Sequence, residues 1–146
     1  MVKVPFVKKR EGAIVPKYGS PSAAGADLYA CLEAPVTILP QETKLIPTGL
    51  TMELPEGYAG LIYARSGLAL KRNLAPANKV GVVDSDYRGE VMVALFNHGT
   101  TPQTIEHGER IAQLVVTPYL TVEFVEEEVL SSTERGEGGF GSTGTK

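Results

Sequence analysis

The sequence predicts an all-β sandwich or barrel with one short helix. Its 16 glycines and 10 prolines are scattered between short apolar runs, and this punctuation is typical of a chain with many strands and few helices. With 146 residues, of which 42% are hydrophobic and 21% are charged, the chain has the size and composition of one globular domain. Short strands at such spacing are typical of antiparallel sandwiches and barrels.

Short runs with the composition of strands recur along the whole chain. In chain order they are Val2 to Val7, Asp27 to Cys31, Val36 to Ile38, Lys44 to Ile46, Leu50 to Leu54, Tyr58 to Ala64, Lys79 to Val83, Glu90 to Asn97, Gln103 to Ile105, Ile111 to Val116 and Val122 to Val125. One short helix is expected around Ser66 to Lys71, with Ser66 as its candidate cap.

Two of these runs, Val91 to Phe96 and Ile111 to Val116, are largely apolar at both odd and even positions. A strand of this kind needs cover on both faces. Because a domain of this size has a limited interior, the second face is expected to be buried either within one subunit or between subunits.

Charge and composition argue against several classes of function. The formal net charge is −3 and the isoelectric point is about 5.4, so the chain has no overall attraction for a nucleic acid polymer, and any anion must be held by local cations and backbone donors. The single Cys31 excludes an internal disulfide and a cysteine-rich zinc site. His98 and His107 are isolated beside glycines and are expected to lie in turns.

The first ten residues are interrupted by Lys3, Pro5, Lys8 and Lys9. They have neither the apolar run of a signal peptide nor the length of a membrane span, so a soluble cytoplasmic protein without membrane association is expected. The three charges of residues 8–10 are interpreted as a solvated turn.

Asp84 is a candidate for activating a water molecule, because it directly follows Val82 and Val83. A carboxylate at the mouth of a core is partly desolvated, which makes its anion a better base. The segment from Asp84 to Gly89 also has the composition of a hairpin turn. From this segment alone, the turn is the favoured interpretation.

Two other segments combine charge with small residues. Arg65, Ser66 and Gly67 stand where a strand is expected to meet the helix, which suits a phosphate-binding loop or a simple helix cap. Asp27 follows Gly25 and Ala26, so that a hydrated metal could approach its carboxylate. The alternative for Asp27 is a loop entering a strand.

Residues 135–146 are rich in glycine and also carry an arginine, an aromatic ring and hydroxyl groups. A G-x-G-x-x-G pattern starts at Gly136, but without a preceding strand or a following helix it does not form a dinucleotide-binding turn. A G-x-x-x-x-G pattern starts at Gly139 and is followed by Thr-Lys, the reverse of the Walker A order. The segment is either a loose terminus or an arm that orders over a ligand with a base and phosphates.

Together, these segments resemble the five ordered motifs of the trimeric deoxyuridine triphosphatase (dUTPase) family. The motifs are AGADLYA from Ala24, ARSGLAL from Ala64, GVVDSDYRGEV from Gly81, GERIAQLV from Gly108 and RGEGGFGSTG from Arg135. Each motif alone fits an ordinary sandwich loop, but five in order over most of the chain are specific.

The resemblance implies a jelly-roll-like β-domain over residues 1–134 and a flexible C-terminal arm over residues 135–146 that closes over the active site of a neighbouring subunit in a homotrimer. It also implies Mg²⁺-dependent hydrolysis of dUTP to dUMP and pyrophosphate. This reaction limits uracil incorporation into DNA and supplies dUMP for thymidylate synthesis.

The resemblance also assigns roles to residues around the phosphates. Asp84 is similar to the general base that orients the attacking water, and Asp27 to the acid that holds water ligands of Mg²⁺, an indirect contact that suits this cation. Further phosphate-site residues are implied at Arg65, Ser66, Gly67, Gln113, Arg135, Ser142 and Thr143, and Gly141 is implied to bind the substrate as well.

Other residues are implied to recognise the nucleoside. Phe140 is similar to the ring that covers uracil, and Tyr87 to the ring under the deoxyribose, where a 2′-hydroxyl would collide. Backbone groups of a hairpin from Asn78 to Tyr87, including Val82 and Val83, are expected to complement the edge of uracil, whereas cytosine would leave buried partners unmatched. Met92 either lines the same pocket or belongs to the core.

Two rival classes are a deoxycytidine triphosphate deaminase, which shares the fold, and a noncatalytic nucleotide sensor or interaction protein. The complete arm and the segment from Asp84 to Tyr87 argue against the deaminase. The presence of both Asp27 and Asp84 argues against lost chemistry. Neither H-x-E nor P-C-x-x-C occurs, which argues against a zinc-type deaminase.

Overall fold

The computed structural model describes residues 1–140, which form twelve strands and one helix. In chain order the elements are β1 Phe6–Lys8, β2 Lys17–Tyr18, β3 Ala26–Tyr29, β4 Val36–Ile38, β5 Thr43–Pro47, β6 Leu50–Met52, β7 Tyr58–Tyr63, α1 Ser66–Arg72, β8 Leu74–Pro76, β9 Gly81–Val83, β10 Met92–Asn97, β11 Gln103–Ile105 and β12 Arg110–Pro118. The predicted all-β architecture with one short helix is confirmed.

Every strand pair within residues 1–140 is antiparallel. The largest sheet has the strand order β2-β3-β12-β7-β9, a second has the order β5-β10-β8, and β1-β6 and β11-β4 form two-stranded sheets. The long strand β12 lies between β3 and β7, so that Gln113 is opposite Asp27 on one side and opposite Tyr63 on the other.

The core is a single cluster of aliphatic side chains contributed by several sheets. Leu28, Ile46, Leu50 and Leu95 have no exposed surface, and burial of such side chains is the main favourable term in folding. The apolar runs that predicted the strands therefore meet in one interior.

Strand β10 alternates strictly, because Val93 and Leu95 are buried while Met92, Ala94 and Phe96 are only half-buried. Complete cover of both faces within one subunit is thus not found for this strand. The half-buried face of β10 is compatible with the other expectation, that a second subunit covers it.

Strands β2 and β8 were not predicted, and the predicted strand from Val122 to Val125 is absent from residues 1–140. Strand β8 ends in Pro76 and pairs with β10 at the edge of its sheet, a position that tolerates proline. Val122 to Val125 forms no strand, and Phe124 is 94% exposed. A β-pattern needs a partner strand to satisfy its backbone, and the described part of this chain offers none to these residues.

The helix starts at Ser66, but its N-cap residue is Arg65, whose side chain makes no capping hydrogen bond. The expected cap by Ser66 is therefore wrong, and Ser66 is the first helical residue. The helix ends at Arg72, and the next residue, Asn73, adopts a left-handed conformation suited to a C-terminal cap. In the described part of the chain, no helix has the length and apolar character needed to span a membrane.

Candidate active site

The predicted site residues within the β-domain line two separate cavities. The first, the Tyr87 cavity, has a volume of about 280 Å³, and its lining includes Asn78, Val82, Val83, Asp84, Tyr87 and Met92. The second, the Arg65 cavity, has a volume of about 260 Å³, and its lining includes Asp27, Arg65, Ser66, Gly67, Arg110 and Gln113. Among residues 1–140 the two cavities share no lining residue.

The Tyr87 cavity lies where two sheets meet. Strand β9 pairs with β7, whereas β10 pairs with β5 and β8, so the loop between β9 and β10 connects different sheets. The hairpin expected for the segment from Asp84 to Gly89 is therefore wrong. A turn is present there, because the backbone N–H of Tyr87 donates a hydrogen bond to Asp84 O over 3.2 Å. The loop brings Asp84 and Tyr87 to the same cavity.

The walls of this cavity combine apolar side chains with a few polar groups. Leu45, Ile62 and Met92 supply apolar surface, and Asn78 supplies an amide. A side chain at Gly81 would approach the amide nitrogen of Asn78 to 3.3 Å and Cβ of Ile62 to 3.2 Å, so glycine keeps this part of the wall open. Such a mixture suits a small heterocycle.

Asp84 also lines a larger, acidic cavity of about 830 Å³, together with Glu53, Glu56 and Asp86. Its side chain is exposed, so the described chain does not supply the partial desolvation expected from the sequence. The carboxylate stands at the border of two cavities, where it can reach a group held in either.

The Arg65 cavity is built around one carboxylate. Nε of Arg65 lies 2.6 Å from Oδ1 of Asp27, and Nη1 of Arg110 lies 3.5 Å from Oδ2. The Asp27 side chain is only 14% exposed. Two guanidinium groups around one carboxylate leave a net positive site, which favours an anion such as phosphate.

Gln113 is fixed beside this ion pair. Its Nε2 donates to the carbonyl of Ala64 over 2.9 Å, and a side chain at Gly25 would lie only 2.5 Å from its Oε1. The small residue before β3 therefore makes room for the amide. This is a physical role for the glycine that the sequence pattern alone did not identify.

Arg110 was not among the predicted site residues. It opens β12 in the GERIAQLV segment, and its position three residues before Gln113 was the available signal. On an irregular stretch of β12 between Arg110 and Ala112, the side chain reaches the carboxylate of Asp27 on the neighbouring strand.

Residues 135–140, the described part of the glycine-rich segment, line neither cavity. Nε of Arg135 donates to Gly138 O over 2.7 Å, within its own segment, and Phe140 is fully exposed. The predicted residues Gly141, Ser142 and Thr143 lie outside the described residues.

The carboxylates of the described residues suit a largely hydrated Mg²⁺, the metal that the resemblance implies. Within residues 1–140 no group of three or more His, Cys, Asp or Glu side chains is arranged to hold a metal ion, and Asp27 already faces two guanidinium groups. This arrangement fits a cation that takes most of its ligands from water and phosphate, as Mg²⁺ does.

Comparison with known proteins identifies a family and full-length relatives. The family model described as dUTPase matches residues 11–144. A deoxyuridine 5′-triphosphate nucleotidohydrolase of Desulfitobacterium hafniense is 50% identical over 144 residues, covering 98% of this chain and 95% of that protein. A protein of the same name from a Hydrogenobaculum species is 49% identical, covering 99% of this chain and all of that protein.

Solved structures agree with this similarity. A variant of the Staphylococcus bacteriophage 80alpha dUTPase with dUpNHpp superimposes with a TM-score of 0.90 at 29% identity, covering 98% of this chain and 99% of that one. A dUTPase variant from phage phi11 of S. aureus, described for its coordination of a structural Mg(II) ion, gives 0.79 at 25% identity over 87% of this chain and 97% of that one. The jelly-roll-like fold is thereby confirmed.

Proposed function

The chain belongs to the dUTPase family, and we infer that it hydrolyses dUTP to dUMP and pyrophosphate. The observation that carries this inference is the near-complete match to relatives named deoxyuridine 5′-triphosphate nucleotidohydrolase, at 50% identity over 98% of the chain. The match includes both cavities. A noncatalytic sandwich protein would have no need for the carboxylates that they contain.

The Tyr87 cavity is proposed to bind uracil and deoxyribose. Its volume of about 280 Å³ suits a nucleoside, and the backbone between Asn78 and Val83 offers donors and acceptors to the base edge. Cytosine presents the opposite pattern at its 4-position and would leave a buried partner unpaired. The ring of Tyr87 is proposed to lie against the sugar, and Phe140 of the arm is proposed to cover the base.

The Arg65 cavity is proposed to bind the triphosphate. Arg65, Ser66, Gly67 and Gln113 supply the predicted contacts, and Arg110 adds a second guanidinium. When bound, Mg²⁺ would neutralise part of the triphosphate charge. Asp27 is proposed to hold the metal through water, because its carboxylate is already shared by two cations.

Asp84 is proposed as the general base. It accepts a proton from a water molecule whose oxygen forms a bond to the α-phosphorus, and the bond from that phosphorus to the bridging oxygen breaks to release pyrophosphate. Positioned proton transfer contributes roughly 10²- to 10⁴-fold. Neutralisation of charge by the arginines must supply much of the remainder.

We propose that the two cavities are joined in a homotrimer, in which different subunits contribute them to one active site. Three features support this: the cavities are separate within residues 1–140, Asp84 is exposed, and the apolar side chains of Leu120, Phe124 and Leu130 are each more than 80% exposed. The arm of residues 135–146 is proposed to close over a neighbour's site. A cytoplasmic location stays a prediction.

The activity is tested by incubating the protein with dUTP or dCTP, with and without Mg²⁺, while pyrophosphate and ammonia are measured. We expect pyrophosphate from dUTP only, and less without Mg²⁺. Ammonia from dCTP would identify a deaminase, and binding without either product would identify a nucleotide sensor. Light scattering tests the trimer, which requires three times the 15.6 kDa chain mass.

A further inference from the structure

Glu90, one of the residues that line the Tyr87 cavity, forms an ion pair with Arg10 from a distant part of the chain. Nε and Nη2 of Arg10 donate to the two carboxylate oxygens of Glu90 over 2.8 and 3.0 Å. The Glu90 side chain is 15% exposed. A two-point contact of this kind fixes orientation as well as distance. Arg10 is nevertheless 42% exposed, as expected for the solvated turn predicted at residues 8–10.

A third donor holds the same carboxylate. The backbone N–H of Gly49 donates to Oε1 of Glu90 over 2.8 Å, while Gly49 O accepts from the backbone N–H of Lys9 over 2.7 Å. Gly49 has a φ of +73°, and a side chain there would lie 2.8 Å from Cβ of Ala13. Only glycine allows the loop to approach this closely.

The backbone of Glu90 in turn holds Tyr87. The hydroxyl of Tyr87 donates to Glu90 O over 2.9 Å. The ring lies so close to Gly89 that a side chain there would overlap the hydroxyl oxygen and Cζ of Tyr87. The ring is therefore folded back onto its own loop, and its hydroxyl is anchored to the residue that Arg10 and Gly49 immobilise.

We propose that Arg10 and Glu90 are positioning residues that hold the Tyr87 ring and thereby set the discrimination between deoxyribose and ribose nucleotides. The inference rests on the proposed function, which places Tyr87 against the sugar. A 2′-hydroxyl is excluded only if the ring cannot retreat, and the carbonyl of Glu90 can resist that retreat only while its own residue is held. Arg10 acts through Glu90 and Tyr87 and touches no nucleotide.

The main alternative is an ion pair that contributes only to folding. Arg10 is 42% exposed, and pairs with such exposure generally contribute little to stability. A purely structural pair would, when broken, lower activity on dUTP and UTP by the same factor. Breaking a pair that positions Tyr87 would instead change the ratio of the activity on dUTP to the activity on UTP.

The test compares kcat/KM for dUTP and for UTP in Arg10→Gln, Tyr87→Phe and the double variant. Each single change is expected to lower the dUTP-to-UTP ratio roughly three- to tenfold, since small misplacements of a positioning group have effects of this size or larger. The double variant should lose no more than the larger single loss, because both changes interrupt one chain of contacts.

Lys44→Gln is the matched control. It breaks an ion pair with Glu42 that is also 2.8 Å long, at a lysine that is 44% exposed and does not line the Tyr87 cavity. Its ratio should equal that of the unsubstituted protein. Arg10→Lys keeps the charge but not the two-point contact and should give an intermediate ratio.

Calorimetric measurement of dUMP and UMP binding reports the discrimination between deoxyribose and ribose nucleotides without turnover. An unchanged ratio in Arg10→Gln, an equal loss on both nucleotides, or additive losses in the double variant would each overturn the inference. Should Arg10→Gln fail to fold, Tyr87→Phe and Glu90→Gln make the same test. Failure of the unsubstituted protein to hydrolyse dUTP would instead contradict the proposed function.

Discussion

The guanidinium of Arg65 and the carboxylate of Asp27 form an ion pair, with Nε and Oδ1 2.6 Å apart. The residue assigned to phosphate and the residue assigned to the hydrated metal thus satisfy each other. Binding of a triphosphate would draw Arg65 towards the phosphate oxygens and free Asp27 to accept hydrogen bonds from metal-bound water. Under the proposed roles of Arg65 and Asp27, the ion pair would couple the two binding events.

Asp27→Asn is expected to weaken the response to Mg²⁺. The amide keeps the shape of the side chain but loses its charge, so water ligands are held less firmly, and the Mg²⁺ concentration for half-maximal activity should rise about tenfold or more. Arg65 loses its partner at the same time, so affinity for free dUTP measured without metal should not fall. An unchanged Mg²⁺ response would contradict the role assigned to Asp27.

Asp84→Asn is expected to lower kcat by roughly 10²- to 10⁴-fold, the range of positioned general-base catalysis, while binding of dUpNHpp stays close to that of the unsubstituted protein. Asp86→Asn is the matched control, because Asp86 is in the same loop but lines only the acidic cavity. Parallel losses of turnover and binding in Asp84→Asn would show that Asp84 is structural.

Gly25→Ala is expected to displace Gln113, because the added methyl would lie 2.5 Å from Oε1. Loss of one amide contact should raise the KM for dUTP about three- to tenfold, and the crowding should lower the free energy of unfolding by about 1–3 kcal/mol. Gly19→Ala changes another residue of the same cavity where a side chain meets nothing within 4 Å. If both variants have equal KM values, Gly25 does not act through Gln113.

Removal of residues 135–146 is expected to leave the fold intact and the activity poor. Arg135 bonds only to Gly138 among the side-chain hydrogen bonds of the described chain, and Phe140 is exposed, so neither supports the core. The melting temperature and the number of chains per particle, obtained by light scattering, should be retained, whereas kcat should fall by about 10²-fold or more if Arg135 stabilises the transition state. Unchanged hydrolysis by the shortened chain would rule out the closing arm.

The ion pair of Glu90 predicts a pH-dependent contribution to stability. The hydrogen bonds from Arg10, and then that from Gly49, hold the pKa of Glu90 below its usual range, which is about 4.3. A carboxylate with a depressed pKa in the folded state stabilises the protein above its unfolded pKa, and this stability is lost as the pH falls through the folded pKa. The difference in melting temperature between the unsubstituted protein and Glu90→Gln should therefore be largest near neutral pH and shrink below about pH 4. A difference that stays constant down to about pH 3 would contradict this assignment.

The location of most strands and of the helix was predictable, because each depends on a local apolar pattern and its turn formers. Both ends of strands β3, β7 and β12 lie within two residues of their predicted positions. Strand β8 was missed because Pro76 reads as a strand breaker unless its place at a sheet edge is known. Val122 to Val125 was wrongly predicted as a strand, since its pattern is correct but its backbone partner is not within the described chain.

The features of the candidate site can likewise be separated into those that were predictable from the sequence and those that were not. The sequence identified the family and the location of five motifs and predicted roles for Asp27, Arg65 and Asp84, because these inferences depend on residue types in a fixed order. The three-dimensional arrangement was needed to show that the first four motifs line two separate cavities, that Asp27 faces two arginines, and that Arg10 reaches Glu90, which is 80 residues away along the chain. Contacts over such separations depend on which strands become neighbours, and an apolar period specifies burial without specifying the partner.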